Sequence, residues 1–494
     1  MSAAAHRLSD LLDGIATRVP SGDIVVRGLS LDSRHVGPGE AFVALQGATT
    51  HGVRFAPSAL ARGASGVRAE APAPAVFAAL PGDAPVVWIE NLREQAGEIA
   101  ARFFGRPSSA VRVIGVTGTN GKTSIVQLLA AAIESLGARA ATIGTLGAGL
   151  VGAITAGERT TPDAISVQSL LAEFRDAGAT HAAMEVSSHA LEQGRVNAVR
   201  FEVAVFTNLT RDHLDYHGTM EAYGAAKAKL FAWPGLHAAV INGDDAFGRD
   251  LAATLTPQVQ RLRYAIDAGA SEITASDVRT CADGLAFHLR TPWGDGRVDS
   301  MLLGRFNVYN LLAVAGGLGA LGYTFAQIRQ ALARLQPVAG RMQRIGSGAP
   351  LVVVDYAHTP DALEQALTSL RAHTAGRLVC VFGCGGDRDQ GKRPLMGAIV
   401  ERLADRVVIT DDNPRSEDGG AIIAQILGGL RAPQQAIVLR DRAAAIRRAV
   451  SEAGTGDVIL VAGKGHEPYQ EVNGVKHPFD DAAVAGRALG ARAC

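Results

Sequence analysis

The chain has 494 residues, 47% of them hydrophobic and 19% charged, and its 48 basic and 48 acidic side chains leave no formal net charge. That is apolar material for about three domains of ~150 residues. A balanced charge argues against a general nucleic-acid coat and leaves any polyanionic ligand to a local site. The start, MSAAAHRLSDLLDGI, lacks the basic opening and apolar core of a signal peptide, and no apolar run reaches the ~18 residues of a membrane span. A cytoplasmic protein is expected. Cys281, Cys380, Cys384 and Cys494 are too few and too scattered for a disulfide framework or a zinc site. The 57 glycines exceed the usual share of ~7% and call for an explanation.

In chain order, APAPAVFAALPGDAP at 71–85 reads as a surface loop or short helix. The amphipathic run from Leu92 to Phe104 predicts a helix, and GRPSSA at 105–110 a boundary. A pattern of strand, turn and helix then begins, with strands predicted at 111–116, 139–144, 181–186, 201–207 and 238–242. Short apolar runs separated by helical segments indicate a parallel sheet covered on both faces. After a second boundary at QPVAG, 336–340, the pattern restarts with strands at 351–355, 378–383, 406–410 and 458–463 and helices at 361–372, 420–430 and 442–453. The expected fold is therefore α/β in three domains. A smaller N-terminal α/β domain (1–108) precedes a central P-loop-type parallel-sheet domain (109–338) and a C-terminal Rossmann-like domain (339–494). Ligands in such sheets bind at the carboxyl ends of strands. Those ends carry Asp355, the 383–393 loop, Asp411 to Arg415, and Gly463 to Glu467.

The sharpest local signal is VIGVTGTNGKTS at 113–124, a strand running into Gly118, Thr119, Asn120, Gly121, Lys122, Thr123 and Ser124 and then a helix. Glycines let backbone amides turn toward an anion, and a helix N-terminus adds partial positive charge. Lys122 is placed for the β- and γ-phosphates of a nucleotide and Thr123 for Mg²⁺. Five residues, not four, separate Gly115 from Gly121, so the loop is a variant of the standard pattern. HAAMEVSSHAL at 181–191 and FTNLTRDHLDYHGT at 206–219 bring Glu185, Ser187, His189, Asp212, His213, Asp215 and His217 to later strand ends. A carboxylate and an imidazole beside a triphosphate suit Mg²⁺, although that ion prefers oxygen. The histidine spacing is not that of a zinc site.

These segments, with GRFNVYN, DYAHTPDAL, EAYGAAKAKLF and GCGGDRDQGKRPLM, resemble the Mur ligases over nearly the whole chain. These bacterial enzymes add amino acids to a UDP-linked muramic acid precursor of peptidoglycan, and so serve cell-wall synthesis, cell shape and division. The resemblance points to the member that adds the third amino acid. It implies an ADP-forming ligase in which ATP phosphorylates a substrate carboxylate and an amine attacks the acyl phosphate. It carries over Leu31, Ser33, Ala48, Thr49 and Thr50 to the uridine nucleotide, and Thr160, Thr161, Ser187, Gln193 and Arg195 to the muramoyl peptide. Gly118 to Ser124 match the ATP loop, and Asn307, Arg341, Asp355 and His358 its adenine and ribose side. Lys227 matches a carboxylated lysine, whose carbamate would turn a positive charge into metal-facing oxygens. Lys122, Lys227 and His213 are then the catalytic candidates. Thr123, Glu185, His213 and carboxylated Lys227 are the metal candidates.

Asp412-Asn413-Pro414-Arg415 matches the family's motif for meso-diaminopimelate, and Arg388, Gly463 and Glu467 match the remaining contacts to that substrate. Diaminopimelate differs from lysine by a distal carboxylate, which a guanidinium can hold with two parallel hydrogen bonds. A lysine-adding site would leave such an arginine unpaired. Taken alone, DNPR reads as a turn. The implied reaction joins meso-diaminopimelate to UDP-N-acetylmuramoyl-L-alanyl-D-glutamate, with domain closure excluding water. The expected partners are small molecules, with no nucleic acid, no membrane span and a monomeric chain. An L-lysine-adding relative, a folylpolyglutamate synthase-like ligase, a nucleotide switch or transport ATPase, and a binding scaffold are the alternatives. None of these accounts for the 383–393 and 411–415 loops together with LDSR at 31–34.

Overall fold

The computed structural model describes residues 5–16, 24–47, 49–74, 86–266, 271–281, 284–346, 348 and 350–493. The chain divides into two compact units: Met1–Arg263 with Ala320–Gly322, and Tyr264–Gly319 with Tyr323–Cys494.

The first unit begins with four short parallel strands in the order Gly28–Ser30, Glu40–Ala44, Gly66–Glu70 and Val86–Ile89. One face packs Val43, Val87 and Ile89 against Leu8, Leu12, Leu92 and Ile99 from flanking helices. The other packs Phe42, Val67 and Ala69 against Val53, Ala56 and Ala59. Of the 71–85 loop, residues 75–85 lie outside the described residues. All five predicted central strands form and pair in parallel, in the order Ala140–Gly144, His181–Glu185, Arg112–Thr117, Phe201–Phe206, Ala238–Asn242. Helices Lys122–Ser135 and Ala164–Asp176 follow two strand segments as crossover connections. The sheet is not purely parallel, because an antiparallel hairpin, Gly147–Leu150 with Ala153–Thr155, extends its edge. Gly149 makes this hairpin possible: a Cβ there would lie 2.2 Å from the Ala153 carbonyl oxygen.

The chain leaves the first unit within strand Gln260–Ile266. In the second unit, Tyr264–Ile266 pairs in parallel with Ile273–Cys281, which continues antiparallel through Gly284–Thr291 and Gly294–Ser300. Helix Phe306–Ala320 follows. Gly319 presses on Trp293, where a Cβ would stand 2.1 Å from the indole, so close packing explains at least one glycine of the GGLGALG run. The last sheet orders Gln343–Ile345, Leu351–Asp355, Val458–Ala462, Leu378–Phe382, Arg406–Ile409 and Ile437–Val438, all parallel except the first. One face packs on Leu363, Leu367, Met396 and Ile426, the other on Ile446, Val450 and Val484. Such two-sided burial is why these strands read as continuous apolar runs.

A fully buried bidentate pair ties the end of this sheet to the C-terminal helix Asp481–Ala493. Arg442 donates to both Asp481 oxygens at 2.7 Å and to the Ala462 carbonyl at 3.0 Å. Removing either partner would strand a buried charge beside Gly463. Among the described residues, no helix is long and apolar enough to cross a membrane.

Candidate functional site

In the first unit, strand Arg112–Thr117 ends at Gly118 and helix Lys122–Ser135 starts after Gly121. Gly118 has φ +144°, and a Cβ there would fall 1.8 Å from Thr207 Oγ1, so only glycine fits. Thr119 and Asn120 are anchored by the following strand end: Thr119 N–H donates to the Asn208 carbonyl (2.8 Å) and Asn120 N–H to Asn208 Oδ1 (2.9 Å). No side chain caps the helix, and uncapped first-turn amides are groups able to receive an anion. Thr123 and Ser124 are buried in that first turn.

Two lysines meet on this loop. Lys122 Nζ donates to the carbonyls of Gly118 (2.9 Å) and Thr119 (2.8 Å), and Lys227 Nζ to the same Gly118 oxygen (2.9 Å). Lys227 is 1% exposed, and its amine lies 4.3 Å from the centroid of the Tyr223 ring, one helical turn earlier. Burial, reinforced by the charge of Lys122, holds the Lys227 amine well below the ordinary lysine range. Tyr223 was not singled out from the sequence, although its i,i+4 spacing from Lys227 was a usable signal.

Glu185, 1% exposed, accepts from Thr145 N–H (2.8 Å) through Oε1 and from Thr145 Oγ1 (3.2 Å) through Oε2. It stands beside the residues expected to hold the muramoyl peptide. Thr161 Oγ1 donates to the Glu185 carbonyl (2.8 Å) and accepts from Ser187 N–H (3.1 Å). Arg195 donates to the Thr161 carbonyl (3.0 Å) and to Gln193 Oε1 (2.6 Å), and Thr160 Oγ1 lies 3.1 Å from Thr145 Oγ1. Thr160, Thr161, Ser187, Gln193 and Arg195 are thus one connected group, with Thr145 as a member the sequence did not reveal. His213 is half exposed, 3.4 Å from the Asp212 carboxylate, with its ring on that of His189 at 4.9 Å. Among the described residues, no three His, Cys, Asp or Glu side chains gather to hold a metal.

A cleft of about 1250 Å³ opens in the same unit. Leu31, Ser33 and Thr50 line it on one side, and Gln193 and Arg195 belong to its wall. Thr49 is exposed and outside the lining, and Ala48 lies outside the described residues. The loop carrying Thr50 is held by residues that sequence reasoning missed. Glu70 accepts from the N–H groups of Gln46 (2.7 Å) and Arg93 (3.2 Å), and Arg93 donates to the Gln46 carbonyl.

In the second unit, Asp355, Arg341 and His358 gather around Tyr356. The Arg341 guanidinium lies 4.6 Å from the Tyr356 ring centroid, and the His358 ring meets it edge-on with centroids 4.6 Å apart. Asp355 accepts from the N–H groups of Met342 (2.7 Å) and Ala357 (2.9 Å). Burial raises its carboxyl above the usual range, against the pull of Arg341. Asn307 is buried at the start of its helix and is occupied by the Leu303 carbonyl and Asn310.

The loops after Leu378–Phe382 and Arg406–Ile409 are cross-linked. Gly386 N–H donates to the Asn413 carbonyl (2.9 Å), Asp387 accepts from Ser416, and fully buried Arg393 donates to both Glu417 oxygens at 2.8 Å. This brings Arg388 and Arg415 over Gly385, where a Cβ would lie 2.9 Å from Arg415 Nη1 and 3.9 Å from Arg388 Cγ. Arg415, at φ +52°, donates to the Gly386 carbonyl (2.6 Å) and sits 3.5 Å from Glu471. Pro414 separates it from Asn413, which is buried against Glu467 (2.7 Å). Gly463, at φ +114°, lies so close to Asp412 that a Cβ would meet its carboxylate at 2.4 Å. Lys464, Gln470 and Glu471 complete this cluster and were not expected from the sequence. The lysine stood in plain view between Gly463 and Glu467.

Three family models match the chain in succession: "Mur ligase family, catalytic domain" over residues 25–104, "Mur ligase middle domain" over 116–318, and "Mur ligase, glutamate ligase domain" over 340–465. A UDP-N-acetylmuramoyl-L-alanyl-D-glutamate--2,6-diaminopimelate ligase of Xanthomonas campestris pv. campestris is 59% identical over 488 residues, 98% of this chain and 97% of its own. The ligase of the same name from Pseudomonas aeruginosa is 53% identical over 470 residues, covering 95% and 96%. A solved structure of a ligase so named superposes with a TM-score of 0.75 at 38% identity, covering 99% of this chain and all of that one.

Proposed function

The chain belongs to the Mur ligase family, and we propose that it adds meso-2,6-diaminopimelate to UDP-N-acetylmuramoyl-L-alanyl-D-glutamate at the expense of ATP. The observation that carries the choice of amine is the strand-end cluster of the second unit. It sets the carboxylate of Glu467 and the guanidiniums of Arg388 and Arg415 on adjoining loops, complementary to an ammonium and a carboxylate on one distal carbon.

The roles divide along the chain as 1–108 for the uridine nucleotide, 109–338 for ATP and 339–494 for the incoming amino acid. The loop 118–124 seats the phosphates. Lys122 exchanges its loop carbonyls for phosphate oxygens and balances charge while the D-glutamate side-chain carboxylate attacks the γ-phosphorus and ADP leaves. Arg195, Gln193, Thr160, Thr161 and Ser187 hold the peptide whose carboxylate is activated, and Leu31, Ser33 and Thr50 its uridine end. The free amine of diaminopimelate, held by Arg388, Arg415 and Glu467, attacks the acyl carbon. The amide forms, phosphate leaves and the amine's proton is lost. Asn307, Arg341, Asp355 and His358 serve the adenosine end of ATP.

The donors near the loop fit Mg²⁺, a hard ion usually held by one or two carboxylates with substrate phosphates and water. Thr123 and Glu185 would offer oxygens, and His213 a ring nitrogen. When bound, the ion would neutralise charge on the transferring phosphoryl group. Lys227 completes the set as a carbamate. The neutral amine favoured by its burial adds to CO₂ with loss of one proton, and a negative group then stands beside Lys122 where the amine was uncharged. The protein works in the cytoplasm as a monomer on small molecules, without nucleic acid.

Phosphate release tests the reading. It is expected only when ATP, UDP-muramoyl dipeptide and meso-diaminopimelate are all present, and to be at least tenfold slower with L-lysine, which lacks the distal carboxylate. Equal rates with the two amines would reject the assignment.

A further inference from the structure

Lys464, directly after strand Val458–Ala462 and Gly463, has no exposed side-chain surface at all. Its Nζ donates to Asn413 Oδ1 (2.9 Å) and to Glu467 Oε2 (3.2 Å), and lies 5.6 Å from the Tyr469 ring centroid. Asn413, 2% exposed, donates through Nδ2 to the same Glu467 Oε2 (2.7 Å). Its Oδ1 also accepts the Glu471 N–H at 2.9 Å.

These bonds leave little freedom. Two donors fill both lone pairs of Asn413 Oδ1 and fix which end of the amide faces Glu467. Glu467 Oε2 takes two donors, whereas Oε1 takes none among the described residues. A buried amine is costly unless it is paired, so Lys464 is not idle filling. Removing it leaves Asn413 Oδ1 and Glu467 Oε2 each one donor short and lets both side chains turn.

We propose that Lys464 is a positioning residue for the incoming amino acid. With Asn413 it clamps Oε2 of Glu467 and so presents Oε1 to the distal ammonium of the substrate. This deepens the diaminopimelate reading and rests on it. A purely electrostatic role predicts the opposite sign. Lys464 would then dilute the charge of Glu467, and its loss would tighten amine binding.

The test is steady-state kinetics of the full chain with each substrate varied in turn. Lys464→Met is expected to raise KM for meso-diaminopimelate about tenfold, with KM for ATP and for the UDP-dipeptide within twofold and kcat reduced less than KM is raised. Combined with Glu467→Gln it is expected to add nothing, because it acts through that carboxylate. Asn413→Ala is the second variant, should Lys464→Met fail to fold. It is expected to raise the same KM alone and likewise to add nothing to Glu467→Gln. An unchanged or lower KM for diaminopimelate, equal loss toward all three substrates, or full additivity with Glu467→Gln overturns the role of Lys464. A wild-type protein that releases no phosphate with diaminopimelate overturns the reaction itself, and is distinguished by needing no variant.

Discussion

At the phosphate loop, the amines of Lys122 and Lys227 converge on one carbonyl oxygen, that of Gly118. In the second unit the buried amine of Lys464 is met instead by Asn413 and the Glu467 carboxylate. The first arrangement sets the Lys122 cation beside an uncapped helix start, and it is completed by anions that arrive with the ligand. The second is matched internally and leaves chosen atoms free: Glu467 Oε1 and the outer edge of Arg415. A site of the first kind gains most from charge, whereas one of the second kind discriminates by the placement of individual atoms.

The strongest way to break this contrast is Lys122→Ala. Loss of a preorganised charge aimed at the transferring group is expected to cut phosphate release by about 10²–10³-fold. Lys122 is only half-buried, so the thermal melt should stay near that of the wild type. Near-normal turnover would show that the loop does not seat the phosphates. In the second unit the corresponding change is Arg415→Lys, which keeps the charge and loses the fork. KM for diaminopimelate is expected to rise by about 10–100-fold while KM for ATP stays within twofold. Parallel losses for both substrates would mean that charge, not geometry, governs this site too.

The two sites were legible to different degrees. Strand Arg112–Thr117, the glycine turn and helix Lys122–Ser135 were readable because apolar run, turn chemistry and helix follow one another without interruption. Four of the six strands of the last sheet were readable because they are buried on both faces. The antiparallel strands Ile273–Cys281 and Gly294–Ser300 were missed, since their exposed stretches, such as SDVRT and GDGRVDS, show no apolar run. The N-terminal strands are three to five residues long, too short to display a period. Within the sites, residues resembling ligand contacts were found and the residues that hold them were not. Thr145, Glu70, Arg93 and Lys464 act through bonds to side chains or backbone distant in sequence, among them 24 residues for Glu70 with Gln46, 40 for Thr145 with Glu185 and 51 for Lys464 with Asn413. No local pattern encodes such pairings.

A smaller effect probes how tightly the second site is matched. His466, between Lys464 and Glu467 in the chain, stacks on Tyr356 at 5.2 Å, and its Nδ1 is buried without a hydrogen-bond partner. Backbone crowds it as well, since a Cβ on Gly340 would lie 2.2 Å from its amide nitrogen. Burial, and next the charge of Arg341, pull its imidazole from 6.5 down to about 4. Between those values the unfolded chain binds a proton there and the folded protein does not. Its contribution is therefore intact above pH 6.5 and is lost as pH falls toward 4. The loss amounts to at most about 3 kcal/mol. Chemical denaturation at a series of pH values should show a decline across this window that is steeper for the wild type than for His466→Asn, whatever the variant's stability at pH 7. Parallel curves would mean that His466 takes up its proton as readily folded as unfolded, and that this corner of the site has room for a charge that the matched arrangement around Lys464 denies it.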